Sequence, residues 1–307
     1  MIRQVGNSLN RRSLLARKEQ RTAYLFLIPA FIGLIFITYL PLVGVFGISM
    51  FDWNGLTTPK FIGIENYVNL FNDDPYFTDS IKVTVVFSLI AVGGSMFYSL
   101  IVAMLLNRKI PARGFWRAVF YLPYILPAVA VYMGWLFLYD SNFGLFNYIL
   151  SQMGIDKQLF LDDSSLVVPS LALIAVWTSG NLIVIFLAGL QNVPRVYHEA
   201  AQIDGATPLQ RFRHVTLPCM TPIIFYNLLM SLITNMQVVT PALALTSGGP
   251  GNASMFMTYL MYRYAFREGK NWICFCGFIC FVYIDWHFYR NIVCYIQVLD
   301  ILRRGGR

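Results

Sequence analysis

Six apolar stretches, each near or beyond the roughly 20 residues that a helix needs to cross a bilayer, set the limits on what this chain can become. They run over residues 24–50, 81–106, 118–139, 166–190, 222–245 and 272–302. Lipid offers no hydrogen bonds to a backbone, so such stretches fold as helices that satisfy their own N–H and C=O groups. Only short connections separate them. The pattern predicts an all-α integral membrane protein, a six-helix transmembrane bundle. It divides the chain into a tail over 1–22, one membrane domain over 23–302 and a tail over 303–307. Charged residues supply 12% of the chain, about half the ~25% of soluble domains, which argues against a string of soluble domains.

Lys and Arg set the orientation. Arg3, Arg11, Arg12, Arg17, Lys18 and Arg21 precede the first run. Arg108, Lys109, Arg113 and Arg117 join the second to the third, and Arg195, Arg211 and Arg213 the fourth to the fifth. Arg303, Arg304 and Arg307 follow the sixth. The alternate connections hold most of the acids, among them Asp52, Glu65, Asp73, Asp74, Asp79, Asp140, Asp156, Asp162 and Asp163. The positive-inside rule therefore predicts that both termini and the loop over 191–218 are cytoplasmic. The net charge of +8 follows from this asymmetry, and it gives no reason to expect a nucleic-acid partner. Asn10-Arg11-Arg12-Ser13-Leu14-Leu15 loosely suggests a twin-arginine signal. The run behind it far exceeds the ~7–15 residues of a signal-peptide core, so a retained first helix is expected.

The loop over 191–218 is polar and charged, yet it lies between two apolar runs. Pro194 fits the first turn of a helix over 195–203. Gly205 is placed to take the left-handed conformation that ends it. Thr207 can cap a second short helix with Pro208 at its first position, and Pro218 is expected to stop that segment before the fifth span. Ala200 and Ala201 keep one face narrow enough for another surface to approach. Phe212, between Arg211 and Arg213, has the character of an aromatic anchor. A solvated loop punctuated by Pro and Gly accounts for any one of these residues alone. The whole pattern, on the cytoplasmic side, points to a docking element.

Glu199-Ala200-Ala201, Asp204-Gly205-Ala206, Phe212 and Leu217-Pro218 resemble the cytoplasmic coupling loop of ABC importer permeases. Phe51-Asp52-Trp53-Asn54-Gly55, Ile62-Gly63-Ile64-Glu65-Asn66-Tyr67, Phe120-Tyr121-Leu122-Pro123, the Gly144 to Asn147 turn and Thr246-Ser247-Gly248-Gly249-Pro250 are similar to the sugar-type branch, and more to its first permease type than its second. The resemblance covers about residues 20–270. It implies half of a carbohydrate pathway in the plasma (inner) membrane of a prokaryote, shared with a second permease subunit. It further implies two ATPase subunits that carry ATP-Mg and an extracytoplasmic sugar-binding protein. Glu199, Ala200, Ala201, Asp204, Gly205, Phe212, Leu217 and Pro218 would then couple to the ATPase, with Glu199 and Gly205 the least tolerant of change. No cofactor or metal on this chain is implied.

The residues themselves offer no enzyme chemistry. A phosphate-binding loop needs Gly, four residues, then Gly-Lys-Ser/Thr. The single Gly-Lys, Gly269-Lys270, has Tyr264 at the first position and Asn271 at the last. His198, His214 and His287 have no metal-ligand spacing. A sugar pathway needs polar and aromatic groups facing the bundle interior, where polar side chains are costly. Asn227, Asn235 and Gln237 in the fifth run are the leading candidates, followed by Tyr132, Trp135, Trp177 and Asn181. Interhelical packing uses the same residue types. The alternatives in other classes are an ion-coupled secondary transporter and a membrane-embedded enzyme. The first calls for intramembrane acids, which the first five runs lack; the second calls for a catalytic constellation.

The sixth run is anomalous. Cys274, Cys276, Cys280 and Cys294 crowd into it in a spacing that resembles a metal run, and Asp285, His287 and Arg290 sit near its middle. A central Asp or Arg costs about 2.5–3.5 kcal/mol on insertion. The codons open to 271–276 include AAT TGG ATA TGC TTC TGC. Read one base later these encode Ile-Gly-Tyr-Ala-Ser-Ala, a string similar to what sugar-type permeases carry after the element that stands here as Ala265-Phe266 and Gly269. In the same frame, 277–286 can encode an uncharged apolar run. Segment 271–307 is therefore read as a candidate frameshift, by sequencing error or by genuine mutation. Resequencing the DNA after Lys270 checks this. The neighbouring frame is expected to encode a charge-poor apolar helix; an early stop or a charge-rich frame would end the idea.

Overall fold

Proline and hydroxyl side chains decide the shape of the spans. The computed structural model describes residues 19–305 apart from 54 and 57, without the side chains of 271, 272, 288 and 292–305. The tail expected over 1–22 thus lies almost wholly outside the described residues, as do the twin-arginine-like string, Cys294 and the side chains of the tail over 303–307. Helix α1 spans Glu19–Ile48. It runs through Pro41 because a π-helical stretch, Leu34–Tyr39, stands just before it. A proline lacks the N–H donor and its ring strikes the carbonyl four residues back. Widening the helix shifts that carbonyl aside.

The same device corrects one expectation. Pro218 does not stop the cytoplasmic segment. Pro208–Met236 is one continuous helix, α10, so the fifth span begins well before residue 222. A π-helical stretch over Phe212–Thr216 stands immediately before Pro218. The run also ends sooner than 245: Pro241 leads into a further π-helical turn, Ala242–Thr246.

The third and fourth runs do not form straight spans. The third forms α4, Arg113–Ile125, and α5, Ala128–Tyr139, bent by 97°. Pro127 biases the residue before it to extended backbone, and Leu126 has φ −64° and ψ 145°. The fourth forms α7, Val167–Trp177, and α8, Gly180–Asn192, bent by 49°. No proline lies at this break. Thr178 Oγ1 donates to the Ile174 carbonyl at 3.0 Å and Ser179 Oγ to the Val176 carbonyl at 2.7 Å. Hydroxyls that bond back onto the preceding turn compete with the helix ladder.

The second run forms α3, Phe77–Asn107, the helix about which the others pack. Ser80, Thr84, Ser88, Ala91, Ser95, Ser99 and Ala103 are all buried along it. A stripe of small residues lets helix backbones approach in a membrane, where packing rather than water drives association. Helices α7, α8 and α10 lie against α3. Ser99 Oγ meets Ser179 Oγ at 2.9 Å.

Buried amides hold the connections around 49–72 and 140–158. A two-residue hairpin pairs β1, Phe51–Asp52, with β2, Lys60–Phe61. Helix α2 covers Glu65–Asn72 and α6 covers Leu145–Gln152. Asn66 Nδ2 donates to the Ser49 and Phe51 carbonyls at 2.9 and 3.0 Å. Asn147 Nδ2 donates to the Gln158 carbonyl and its Oδ1 accepts from the Gln158 N–H, both at 2.9 Å. Asp140 begins the turn before α6; hydrogen bonds from the Phe143 and Asn142 N–H groups hold its carboxyl below the usual carboxylate range. Helix α11, Met257–Phe266, is an element that hydropathy did not reveal. It buries Met257, Tyr259, Leu260 and Tyr264, and its Met257 N–H donates to Thr84 Oγ1 at 2.8 Å.

The sixth run forms α12, Asn271–Gly305. Ile273, Cys276 and Phe281 join the core, and Cys276 Sγ lies 3.2 Å from the Ser49 carbonyl oxygen. Asp285 is buried, and one of its carboxylate oxygens has no hydrogen-bond partner. Among the described residues no group of three His, Cys, Asp or Glu side chains could hold a metal ion.

Gly180 tests this packing. A Cβ there would lie 2.9 Å from the Phe120 carbonyl oxygen and 3.1 Å from Tyr121 Cα. Backbone cannot swing aside as a side chain can. Gly180→Val is expected to destabilise the protein by about 1–3 kcal/mol, the usual cost of overpacking. Gly134→Ala, where nothing lies within 4 Å of the added Cβ, is expected to leave stability unchanged or slightly raised. Thermal unfolding of the purified protein in detergent checks both.

Candidate functional site

Two places collect the residues singled out by sequence. The first is the polar loop. Helix α9 covers Arg195–Ile203, with Pro194 at its N-cap. Its end is a Schellman motif: the Gly205 N–H donates to the Gln202 carbonyl at 3.0 Å and the Ala206 N–H to the Ala201 carbonyl at 2.9 Å. This places Gly205 at φ +74°, where a side chain would be strained. The next helix opens on a capping box. Thr207 Oγ1 accepts from the Gln210 N–H at 3.4 Å, and Gln210 Oε1 accepts from the Thr207 N–H at 2.8 Å. The bend between the two helices is therefore fixed by the chain itself.

What α9 lacks is anything to pack on. None of its residues is buried. Val196, Tyr197, Ala200 and Ile203 share one face at helical spacing. Ile203 is 88% exposed and Leu209, beyond the bend, 75%. Glu199, Asp204 and Gly205 are exposed beside them. Phe212, Leu217 and Pro218 are half-buried in the widened first turns of α10. A short helix with a Schellman end and an uncovered apolar face has the form of a docking element.

The second place is a cavity of about 430 Å³ inside the bundle. It opens where the two broken spans meet α10. Tyr124, Leu126 and Ala128 border it at the first break, Thr178, Ser179 and Asn181 at the second, and Ser231, Thr234 and Asn235 on α10. Discontinuous helices with irregular backbone beside a cavity are a recurrent way of building solute sites in transporters.

Tyr132, Asn181 and Asn235 line this cavity. Asn235 Nδ2 donates to the Ser231 carbonyl at 2.7 Å, which fixes the amide on its helix. The other four pathway candidates lie elsewhere. Asn227 is buried between helices with Nδ2 at 3.5 Å from the Leu182 carbonyl oxygen. Trp135 packs in an aromatic cluster, with its ring centroid 5.6 Å from that of Trp177 and 5.3 Å from that of Tyr139. Trp177 borders a smaller recess with Tyr98 and Phe120. Gln237 caps the end of α10, and its N–H donates to the Ile233 carbonyl at 3.3 Å. The lining hydroxyls of Ser95, Thr178, Ser179, Ser231 and Thr234 were not singled out by sequence. Their signal was faint: hydroxyls recurring inside apolar runs at places where helices meet.

A bundle of apolar helices with broken spans around a polar cavity, and an uncovered amphipathic helix at one end, defines a membrane permease subunit. The chain matches the family described as "Binding-protein-dependent transport system inner membrane component" over residues 95–285, and it belongs to that family. It is 34% identical over 266 residues, 85% of this chain and 86% of the relative, to the probable ABC transporter permease protein YesP of Bacillus subtilis. It is 31% identical over 257 residues, 83% of this chain and 87% of the relative, to the trehalose/maltose transport system permease protein MalF of Thermococcus litoralis. Its fold is similar to that of a chain in a bacterial ABC transporter that imports the acidic polysaccharide alginate, with TM-score 0.73, 22% identity, 92% of this chain and 99% of that one covered. Both sequence relatives are described as transport permeases, one of them for trehalose and maltose; the chain is a transport subunit, not an enzyme.

Proposed function

We propose that this permease subunit forms half of the pathway of a carbohydrate importer and transmits ATP hydrolysis through the 191–218 loop. The observation that carries the reading is the uncovered apolar face of α9, with the bend after it held by a Schellman motif and by the capping box of the next helix. Two ATPase subunits, holding ATP-Mg, would receive it; this chain supplies Glu199, Ala200, Ala201, Asp204, Gly205, Phe212, Leu217 and Pro218. A second permease subunit would complete the pathway. The first span supports that partner, since none of its apolar window is buried inside this chain. A sugar-binding protein would deliver the solute from the opposite side. That arrangement is supported by the alginate importer solved with its pentasaccharide-bound periplasmic protein.

The distribution of Lys and Arg supports cytoplasmic termini and a cytoplasmic loop in a prokaryotic inner membrane. The membrane domain is taken as 23–302. Tyr132, Asn181 and Asn235 are the pathway residues best supported by the cavity; Asn227, Gln237, Trp135 and Trp177 support it through packing and hydrogen bonds.

Glu199→Lys and Gly205→Pro test coupling. Loss of an interface hot spot costs about 2 kcal/mol, roughly thirtyfold in affinity. Both variants are expected to insert normally and to lose sugar uptake by at least about tenfold in cells, with ATP hydrolysis no longer stimulated by the binding protein. Wild-type uptake by both variants, at normal membrane levels, would sink the coupling role.

A further inference from the structure

We propose that the solute is an uncharged polyol or sugar, and that a sugar acid or sugar phosphate is excluded by this chain's half of the pathway. The inference rests on the carbohydrate reading above and sharpens it. Relatives of this chain serve both kinds of cargo: one is an sn-glycerol-3-phosphate permease of Pectobacterium atrosepticum, 35% identical over 225 residues, another the trehalose/maltose permease. Family membership therefore leaves the charge of the solute open.

The cavity does not. At about 430 Å³ it falls within the ~300–1,000 Å³ of small-molecule sites. Its polar groups are hydroxyls and amides: Tyr124, Tyr132, Thr178, Asn181, Thr234 and Asn235. Among the described residues no Lys, Arg, His, Asp or Glu lines it. Hydroxyl and amide groups both donate and accept, as the hydroxyls of a sugar do. The two tyrosine rings add apolar faces for a pyranose. An anion in a site walled by apolar helices must be paired or held by several donors, because stripping its water costs several kcal/mol.

Helix ends could have served in place of a cation. A helix N-terminus carries about half a positive charge and a C-terminus half a negative one. Each broken span brings both kinds of end to the cavity. Ala175 and Thr178 at the end of α7 border it with Ser179 and Asn181 at the start of α8. Tyr124 at the end of α4 borders it with Ala128 at the start of α5. The half-charges oppose one another, so the backbone gives an anion little net attraction.

The test is uptake into proteoliposomes holding the complete transporter with its binding protein. The probes are glucose and sucrose against glucuronate and glucose 6-phosphate. Uptake confined to the neutral probes is expected. Asn235→Asp should then lower the maximal uptake rate of the neutral sugar by about tenfold or more, since it places a carboxylate in an uncharged cavity. Asn235→Gln should retain most of it. Uptake of the anionic probes in preference to the neutral ones would overturn the neutral-solute inference and leave the carbohydrate reading standing. Uptake of none of the four, with ATP hydrolysis stimulated by a non-carbohydrate solute, would overturn the carbohydrate reading itself. Equal neutral uptake by Asn235→Asp and wild type would show that the cavity is not on the path.

Discussion

Inside a bilayer every backbone N–H and C=O must find its partner within the protein, and this chain satisfies that demand while breaking its helices where a polar cavity is needed. The breaks at Leu126-Pro127 and Thr178-Ser179 lie against other helices and a shared cavity. Elsewhere two prolines, Pro41 and Pro218, follow π-helical widening and leave their helices continuous. The contrast is one of residue chemistry. A proline with a π turn ahead of it leaves a span continuous. At 126–127 the residue before Pro127 goes extended, and at 178–179 two hydroxyls turn back on the preceding carbonyls.

The same constraint ties the loop to the bundle. Because α10 runs continuously from Pro208 to Met236, the end of the proposed coupling element and the cavity residues Ser231 and Asn235 belong to one helix. Displacement of α9 by a partner would reach the cavity along that helix, past its π-helical stretch. Pro218 and the widened stretch before it are the places where the rod can flex. This offers a mechanical route between an external energy source and the solute path.

Hydropathy and charge made much of this legible before any coordinates. The apolar runs located the membrane helices, and the Gly205, Thr207 and Pro208 signals placed the bend of the loop; the Schellman bonds and the reciprocal Gln210 bond of the capping box came only with the structure. Other features were hidden for physical reasons. Hydropathy averages over a window, so it cannot see that Thr178 and Ser179 spend their hydroxyls on the backbone. A proline in sequence reads as a stop, whereas a π turn ending two residues upstream removes the clash. Helix α11 escaped notice because its aromatic and charged residues, such as Tyr259, Arg263 and Tyr264, resemble neither a span nor a loop. Asn227 and Trp135 show the ambiguity of polar and aromatic residues inside a bundle: in sequence they look like Asn235 and Tyr132, yet they pack between helices. The acid at Asp285 was legible as an anomaly, and it stays one, buried with an unpartnered oxygen.

The central claim is that the exposed face of α9 is covered by the ATPase subunit that drives transport. Amide hydrogen exchange compared between the isolated permease pair and the complete transporter addresses it directly. Protection reports local opening, which docking must suppress. The amides of Arg195–Ile203 are predicted to exchange about tenfold or more slowly in the complete transporter, a change of about 1.4 kcal/mol in local opening. Unchanged exchange across that helix, with protection appearing on other cytoplasmic segments instead, would contradict the account.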